Sequence, residues 1–232
     1  MEVIKCLNLS KSYYENLALD NVTLSIKKGR IIGLLGSNGS GKTTLIKLIN
    51  DLIKPTSGSV KINGQNPGIE SKKIISYLPE KTYLNLDMRV MDVIEYFADF
   101  YEDFDKDKMY NMLGAMKIDT HSKMRSLSKG TKEKVQLALV MSRKADIYIL
   151  DEPIGGVDPA GRDFILEIIL NNFDEEASLI ISTHLISDIE TILDEVIFIN
   201  EGKIILHEET DSLRSRHGKS INEIFKEEFR CL

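Results

Sequence analysis

The chain has 232 residues, of which 36 are acidic and 30 basic, so its net charge is −6. This acidic balance argues against sequence-independent binding of nucleic acid or anionic lipid, since both depend on Lys and Arg meeting phosphate. A hydrophobic fraction of 42% supports a folded core and excludes disorder. Apolar stretches such as 147–150 are far shorter than the roughly 20 residues that cross a bilayer. Cys6 and Cys231 lie at opposite ends and no secretory signal is recognisable, so we expect a soluble cytoplasmic chain without a disulfide.

The first third of the chain is rich in short strand signals. Apolar residues alternate over 22–26, and a continuous apolar run over 31–35 leads into a glycine-rich turn. A helix is predicted from about Lys42, directly after that turn. Further strands are predicted at 60–62, which ends in an Asn-Gly turn signal, and at 74–78, before a proline.

Residues of about 88 to 145 have helical periodicity instead. Apolar side chains recur on one face of a first helix between Val90 and Tyr101 and of a second between Met109 and Met116. A third helix is predicted around 135–139. The methionines and aromatic residues of this segment are explained mainly by packing in the core of a small helical unit.

The last third alternates strands with helices. Strands are predicted at 147–150, 179–182 and 196–199, with helices from Pro159 and near 185–193 between them. Such alternation is typical of a parallel sheet that is covered by helices on both faces.

A final helix is predicted after Ser220, which begins a capping box with Glu223. Its apolar face is opposed by a mostly acidic face, so we expect it to dock on protein rather than on membrane.

A phosphate-binding loop is predicted at residues 36–43, where Gly-Ser-Asn-Gly-Ser-Gly-Lys-Thr matches G-x-x-x-x-G-K-[ST] between a strand and a helix. Glycines let successive backbone N–H groups point at phosphate oxygens, and the helix N-terminus adds partial positive charge. Lys42 is expected to reach the β- and γ-phosphates, and the Thr43 hydroxyl to ligate Mg²⁺. The alternative is a chance glycine turn, which is rare at this spacing and in this context.

Two acids end the apolar strand at 147–150. Ligands of open parallel sheets lie beyond the carboxyl ends of the strands, so Asp151 is expected beside the phosphates, where it can hold Mg²⁺ directly or through water. Glu152 can then polarise the attacking water. A solvated strand end is the alternative, and the preceding P-loop disfavours it.

The order of these and four shorter motifs resembles the nucleotide-binding subunit of ATP-binding cassette (ABC) transporters over nearly the whole chain. Residues 77–80, Tyr-Leu-Pro-Glu, resemble the family's Q-loop, and 127–131, Leu-Ser-Lys-Gly-Thr, resemble its signature motif. Residues 155–158 follow the acidic strand end as a D-loop does, and 182–184, Ser-Thr-His, correspond to the H-loop. Each short motif is weak by itself, and their joint order makes the resemblance specific.

The resemblance implies a head-to-tail dimer with two ATP molecules between the P-loop of one subunit and the signature motif of the other. His184 would contact the γ-phosphate and position water with Glu152, Asp158 would communicate across the dimer, and Tyr13 would stack on adenine. The alternatives are a surface histidine, an ordinary helix cap, and a half-buried tyrosine with Tyr14 as a competitor. The full expected set comprises the ATP-binding residues Tyr13, Gly36, Ser37, Asn38, Gly39, Ser40, Gly41, Lys42, Thr43 and Thr44, the catalytic residues Glu152, His184 and Lys42, the Mg²⁺ ligands Thr43, Asp151 and Glu80, the signature residues Ser128, Lys129, Gly130 and Thr131, and Asp158 of the D-loop.

The chain departs from the family pattern at two motifs. Glu80 stands where the Q-loop normally has Gln, and we expect its carboxylate to serve as a metal ligand in place of the amide oxygen. Lys129 and Thr131 replace the usual third and fifth residues of the signature, as in some bacterial export-type cassettes. Ser128 caps its own helix in any case, so its contact with a partner's phosphate is an added role.

The resemblance implies a P-loop NTPase of the α/β class, with a RecA-like parallel sheet, an N-terminal antiparallel β-subdomain and an inserted helical subdomain. We expect one ABC ATPase domain over 1–232. Residues 1–87 and 146–208 would form the ATP-binding core with the β-subdomain, 88–145 the helical subdomain with the signature, and 209–232 a helical tail.

The expected function is that of a Mg²⁺-dependent ATPase subunit with ATP and Mg²⁺ as cofactors. This subunit would drive transport through a separate transmembrane permease, and export is favoured over import. It would form a homodimer or a heterodimer with another ABC ATPase subunit, bind no nucleic acid, and lie on the inner face of the cell membrane through the permease. Residues after Glu80, among them Tyr83, Leu84, Leu86 and Met88, should in part be exposed for that partner. The alternatives are a soluble cassette ATPase without a transport role, or a regulatory module that binds ATP without hydrolysing it.

Overall fold

A computed structural model describes residues 1–229, apart from the side chain of Ala160. Within this range the strands are β1 (Glu2–Tyr13), β2 (Asn16–Lys27), β3 (Ile31–Leu35), β4 (Ser57–Ile62), β5 (Ile75–Leu78), β6 (Ile147–Asp151), β7 (Ser178–Thr183), β8 (Glu195–Asn200) and β9 (Lys203–Glu209). The helices are α1 (Lys42–Ile49), α2 (Ile69–Ile74), α3 (Val90–Phe100), α4 (Lys106–Ala115), α5 (Lys129–Met141), α6 (Pro159–Asn172), α7 (Ile186–Ile189), α8 (Thr210–His217) and α9 (Ile221–Glu228), with a 3₁₀ turn at Met124–Ser126. Among these helices none combines the length and apolar character needed to cross a membrane.

The larger sheet has six strands in the order β5-β6-β7-β3-β8-β9, and all pairs are parallel except β8-β9. Leu35 of β3 lies opposite Thr183 of β7, and Ser182 of β7 lies opposite Asp151 of β6. Because parallel strands end at one edge of a sheet, the segments that follow β3, β6 and β7 meet there. The predicted parallel sheet is thereby confirmed.

The smaller sheet is antiparallel, with three strands in the order β2-β1-β4. Alternating residues of β2, such as Val22, Leu24 and Ile26, are buried, because the period-two pattern turns one face towards the core. This sheet corresponds to the antiparallel part of the expected fold class, and with the parallel sheet it confirms a P-loop NTPase fold.

Two apolar cores cover the two faces of the larger sheet. Ile147 and Ile149 of β6 pack in the core shared with α1 and the antiparallel sheet. Tyr148 and Leu150 of the same strand pack in the core shared with the helices from α3 onwards. Strand β6 is buried along its whole length, so burial on both faces accounts for its continuous apolar sequence.

The structure differs from the sequence predictions at several elements. Strands β1 and β9 and helices α2 and α8 were not predicted individually, and Ile74, which was expected to begin a strand, is the last residue of α2. The helix expected near 185–193 is only α7, which ends at Ile189. The chain must leave it early, since Asp194 exchanges two hydrogen bonds with Ile31, donating its N–H to the Ile31 carbonyl at 2.9 Å and accepting the Ile31 N–H at 2.7 Å. These bonds start β8 beside β3.

The tail helix α9 begins as predicted at a capping box. The Ser220 hydroxyl accepts the Glu223 N–H at 3.2 Å, and the Glu223 carboxylate accepts the Ser220 N–H at 2.9 Å. Phe225 stacks edge-on against Phe198 of β8, with ring centroids 5.2 Å apart. The apolar face of α9 therefore packs on the protein. Cys231, on which the disulfide prediction partly depends, lies outside the described residues, and Cys6 is a buried free thiol.

Candidate functional site at the edge of the parallel sheet

The loop between β3 and α1 is shaped by glycines. A Cβ atom on Gly36 would lie 2.4 Å from the carbonyl oxygen of Ile199 and 2.4 Å from the Ser40 hydroxyl, so no other residue fits without displacement. Gly41 precedes the helix with a φ of +110°, a conformation that side chains disfavour. The loop therefore folds tightly against the N-terminus of α1, with backbone amides available for an anion.

A cavity of about 630 Å³ opens at this edge of the sheet, which is a volume typical of ligand sites. The residues predicted for the site that line it are Asn38, Gly39, Ser40, Gly41, Lys42, Thr43, Thr44, Glu80, Lys129, Asp151, Glu152 and His184. Those predicted residues that do not line it are Tyr13, Gly36, Ser37, Ser128, Gly130, Thr131 and Asp158. The cavity therefore unites the P-loop, the acidic end of β6 and the residues after β5 and β7.

Lys42 lines the cavity and is buried. Its Nζ donates to the carbonyl oxygens of Gly36 and Ser37 at 2.8 and 3.1 Å and lies 3.7 Å from a carboxylate oxygen of Glu152. Burial lowers the pKa of Lys42, and the nearby charge of Glu152 opposes that shift. The ammonium group is thus held at the P-loop by carbonyl oxygens that a phosphate oxygen can replace.

Asp151 ends β6 and is 1% exposed. One carboxylate oxygen accepts the Ser182 hydroxyl at 2.5 Å, while the other, Oδ2, is buried without a hydrogen-bond partner. Burial raises the pKa of Asp151, and the hydrogen bond from Ser182 opposes this shift. A buried carboxylate oxygen with no partner costs free energy unless a cation or donor meets it.

These donors fit Mg²⁺. The described residues contain no group of three or more His, Cys, Asp or Glu side chains that could hold a metal by themselves. Mg²⁺ in nucleotide sites is typically held by one or two protein oxygens together with phosphate oxygens and water. Asp151 and the Thr43 hydroxyl can supply the protein oxygens of such a site.

Glu152 adopts a left-handed backbone conformation, with a φ of +53°, directly after the strand. Its carboxylate accepts the Thr183 hydroxyl at 3.1 Å, and both of its oxygens lie 3.1 Å from Nδ1 of His184. A non-glycine residue in this region is strained, and such strain is concentrated at functional positions. The strained turn aims the Glu152 carboxylate across the cavity towards Lys42, where Thr183 and His184 hold it.

Helix α5 carries the motif at 127–131 at its N-terminus. Ser128 caps the helix, and its hydroxyl accepts the Thr131 N–H at 3.1 Å. The side chain of Lys129 points along the cavity rim, with its Nζ 3.8 Å from Glu133. Within this chain Ser128, Gly130 and Thr131 stand outside the cavity, so their expected contact with a nucleotide needs a second subunit.

Asp158 and Tyr13 also stand outside the cavity. Asp158 caps α6 by accepting the Gly161 N–H at 3.0 Å, and Pro159 is the first residue of that helix. Tyr13 ends β1 with 41% of its surface exposed, and the Lys11 ammonium lies 5.2 Å from its ring centroid. The roles of Asp158 at a dimer interface and of Tyr13 on adenine remain predictions.

Four residues that shape the site were not predicted from the sequence. Ser182 and Thr183 hold the two acidic side chains, and Glu133 and Gln136 of α5 line the cavity. The first pair lay within the motif at 182–184, where only the histidine was assigned a role. Gln136 could have been noticed as a polar residue in the otherwise apolar run at 135–141.

A second cavity of about 750 Å³ lies beside the first, and Pro79 lines both. Its apolar lining consists of Leu52, Ile69, Ile75, Tyr77, Tyr83, Phe100 and Tyr101, and its charged lining of Lys47, Lys72, Lys73 and Lys81. We call it the lysine groove. Of the four residues expected in part to be exposed, Tyr83 is 53% and Leu86 44% exposed, whereas Leu84 is buried and Met88 half-buried.

Comparison with known proteins gives consistent matches. The family model described as ABC transporter matches residues 19–155. The lantibiotic transport ATP-binding protein SrtF of Streptococcus pyogenes is 31% identical over 98% of this chain and 100% of its own length. The SkfA peptide export ATP-binding protein SkfE of Bacillus subtilis is 32% identical over 88% of both chains. A solved ATP-binding subunit of an ABC transporter superposes with a TM-score of 0.85 at 26% identity, over 97% of this chain and 98% of that one.

Proposed function

The chain belongs to the ABC transporter family, and we propose that it is the subunit that binds and hydrolyses ATP to drive a separate membrane-spanning protein. One observation carries this proposal: Glu152 lies between Lys42 of the P-loop, at 3.7 Å, and His184, at 3.1 Å, on the wall of a nucleotide-sized cavity. A module that only binds ATP has no need of a carboxylate held by two neighbours at this point.

ATP would bind with its phosphates on the P-loop. The amides of the loop and the N-terminus of α1 face the anion, and Lys42 exchanges the carbonyl oxygens of Gly36 and Ser37 for phosphate oxygens. Thr43, Asp151 and Glu80 would hold Mg²⁺. When bound, that ion offsets the negative charge of the phosphates.

Glu152 would act as the general base. It accepts a proton from water while the water oxygen attacks the γ-phosphorus, and the bond from that phosphorus to the bridging oxygen of ADP breaks. Thr183 and His184 keep the carboxylate in place through their 3.1 Å contacts. Since His184 is exposed at the cavity mouth, it can also reach the transferred phosphoryl group.

We propose that the active form is a dimer in which Ser128, Lys129, Gly130 and Thr131 complete the cavity of the other subunit, with Asp158 at the interface. The support is that the end of α5 is exposed and that most of this motif stands outside the chain's own cavity. In the same proposal, residues 88–145 act as the helical unit that presents the motif.

The lysine groove is the proposed docking site for the permease, which would hold the chain at the membrane. It offers exposed apolar side chains such as Tyr83 and Phe100 together with four lysines, and no carboxylate among its described lining residues. In a chain with a net charge of −6, this local excess of positive charge favours an amphipathic helix with acidic residues. The likeness to SrtF and SkfE supports export, of a peptide, as the direction of transport.

Two experiments test this proposal. Purified protein should release phosphate from ATP with added Mg²⁺ and stop when the metal is chelated, and phosphate release that ignores chelation would refute the metal assignment. Affinity purification from detergent-solubilised membranes should recover a membrane-spanning protein. Reversing the charge of Lys72 and Lys81 to Glu should lose it, whereas the same change at the exposed Lys28, away from the groove, should not.

A further inference from the structure

Gln136 is a buried polar residue that the proposed mechanism does not use. It lies on α5, is 3% exposed and lines the nucleotide cavity. Its Nε2 donates to the backbone carbonyl of Pro79 at 3.2 Å, and its Oε1 is buried without a hydrogen-bond partner among the described residues.

Packing does not explain this residue. A buried acceptor without a partner costs free energy, and a leucine of similar volume would avoid that cost among the apolar neighbours on α5. The role of an amide at such a position is therefore its donor group, and the Nε2 of Gln136 donates to the Pro79 carbonyl.

Pro79 lies at the boundary between the two cavities. It lines both the nucleotide cavity and the lysine groove, and it immediately precedes Glu80, the residue that we propose as a metal ligand. At the other end of the same helix, Ser128 caps α5 eight residues before Gln136, a distance of about 12 Å along the axis at 1.5 Å per residue. A rigid helix thus links the signature motif to the segment that bears Glu80.

We infer that Gln136 is a positioning residue for ATP hydrolysis. Its amide ties the Pro79–Glu80 segment to helix α5, which carries the signature motif. Glu80 therefore reaches its position at the metal site only when α5 is in its own correct position. This inference rests on the proposed ATPase function. It adds a residue of the cavity wall that acts through the Pro79 carbonyl and sets the geometry between the two cavities.

A matched control is available in Ser76. Its hydroxyl donates to the backbone carbonyl of Val140 at 2.8 Å, so it also joins α5 to the β5 segment through one buried hydrogen bond. Ser76 lines neither cavity. Ser76→Ala therefore removes a comparable link and leaves the Pro79 carbonyl bound.

The test compares Gln136→Leu, Gln136→Glu and Ser76→Ala. Ionised glutamate keeps the size of glutamine and its acceptor at Oε1, and it replaces the NH₂ donor by a second, negatively charged acceptor oxygen. We expect both Gln136 variants to lower kcat about tenfold with little change in KM for ATP, and to raise the Mg²⁺ concentration for half-maximal rate, because a displaced ligand weakens the transition state. Ser76→Ala should keep all three values.

A second readout needs no catalysis. Lys81 is exposed directly after Glu80, so tryptic cleavage after Lys81 in nucleotide-free protein reports how firmly the segment is held. We expect faster cleavage there in both Gln136 variants and wild-type cleavage in Ser76→Ala, with an unchanged melting temperature for Gln136→Leu. If wild-type protein lacks ATPase activity but this cleavage pattern holds, the proposed function fails and the tie to Pro79 stands.

Two results would overturn the inference. One is wild-type kinetics and wild-type cleavage at Lys81 in Gln136→Glu, since the donor would then be dispensable. The other is an equal effect of Ser76→Ala, since any loosening of α5 would then suffice. If Gln136→Leu does not fold, Gln136→Glu alone decides between these outcomes.

Discussion

Replacing Gly36 by alanine is the most direct perturbation of the P-loop. The added Cβ would lie 2.4 Å from both the Ile199 carbonyl oxygen and the Ser40 hydroxyl. Ordinary contacts begin near 3.4 Å, so the loop or the end of β8 must move by roughly 1 Å, as overpacking of a tight site requires. Overpacking of this kind costs about 1–3 kcal/mol of folding stability.

The larger effect should fall on ATP binding and turnover. A shift of about 1 Å in groups that hold reacting atoms costs on the order of 100-fold in rate. We therefore expect Gly36→Ala to lower kcat/KM for ATP by about that factor, while the melting temperature falls by only about 2–12 °C. Phosphate release and thermal unfolding measure the two quantities.

Gly114 supplies the control for this experiment. It lies within α4, where a Cβ would meet nothing within 4 Å. Gly114→Ala should stabilise the protein by about 0.5–1 kcal/mol through helix propensity and leave turnover unchanged. Wild-type kcat/KM in Gly36→Ala would refute the idea that this contact shapes the phosphate site.

Three further results are expected. His184→Ala should lower kcat about 10- to 100-fold with KM for ATP little changed, because it loosens Glu152 without touching the P-loop; an unchanged kcat would remove His184 from the mechanism. Arg143→Ala should destabilise the fold by about 3–5 kcal/mol, measured by denaturant unfolding, since Arg143 is buried and pairs with Asp103 at 3.0 Å. Burial raises the pKa of the Cys6 thiol from 9.0 to about 12. The stability that the buried, neutral thiol contributes is therefore fully present below pH 9 and is lost as the pH rises towards 12. In a Cys231→Ser background Cys6 should therefore resist a thiol reagent at pH 8 until the protein unfolds, and rapid labelling of the native state would contradict its burial.

The local motifs of the site could be predicted from the sequence because each depends on neighbours along the chain. The P-loop follows its own strand, and Asp151 and Glu152 end another, so their meeting follows from the rule that parallel strands end at one edge. The capping box at Ser220 could also be predicted, because it depends only on Ser220 and Glu223 three residues later, and the structure contains it.

The missed contacts depend on strand order and side-chain direction. Ser182 meets Asp151 because β7 lies between β6 and β3, an order that no local pattern specifies. The Gln136 contact with Pro79 joins residues 57 positions apart. Strand β9 was missed because it lies at the edge of the sheet and is only partly buried, so its apolar residues form one short run without a clear alternation.

Glu152 is the proposed base for ATP hydrolysis, and Glu152→Gln tests this role most directly. The amide keeps the shape of the side chain but cannot accept the proton, so phosphate release should fall by a factor of about 10²–10⁴. ATP should still bind, and light scattering should detect a dimer that persists with ATP. Phosphate release at the wild-type rate in Glu152→Gln would contradict the account.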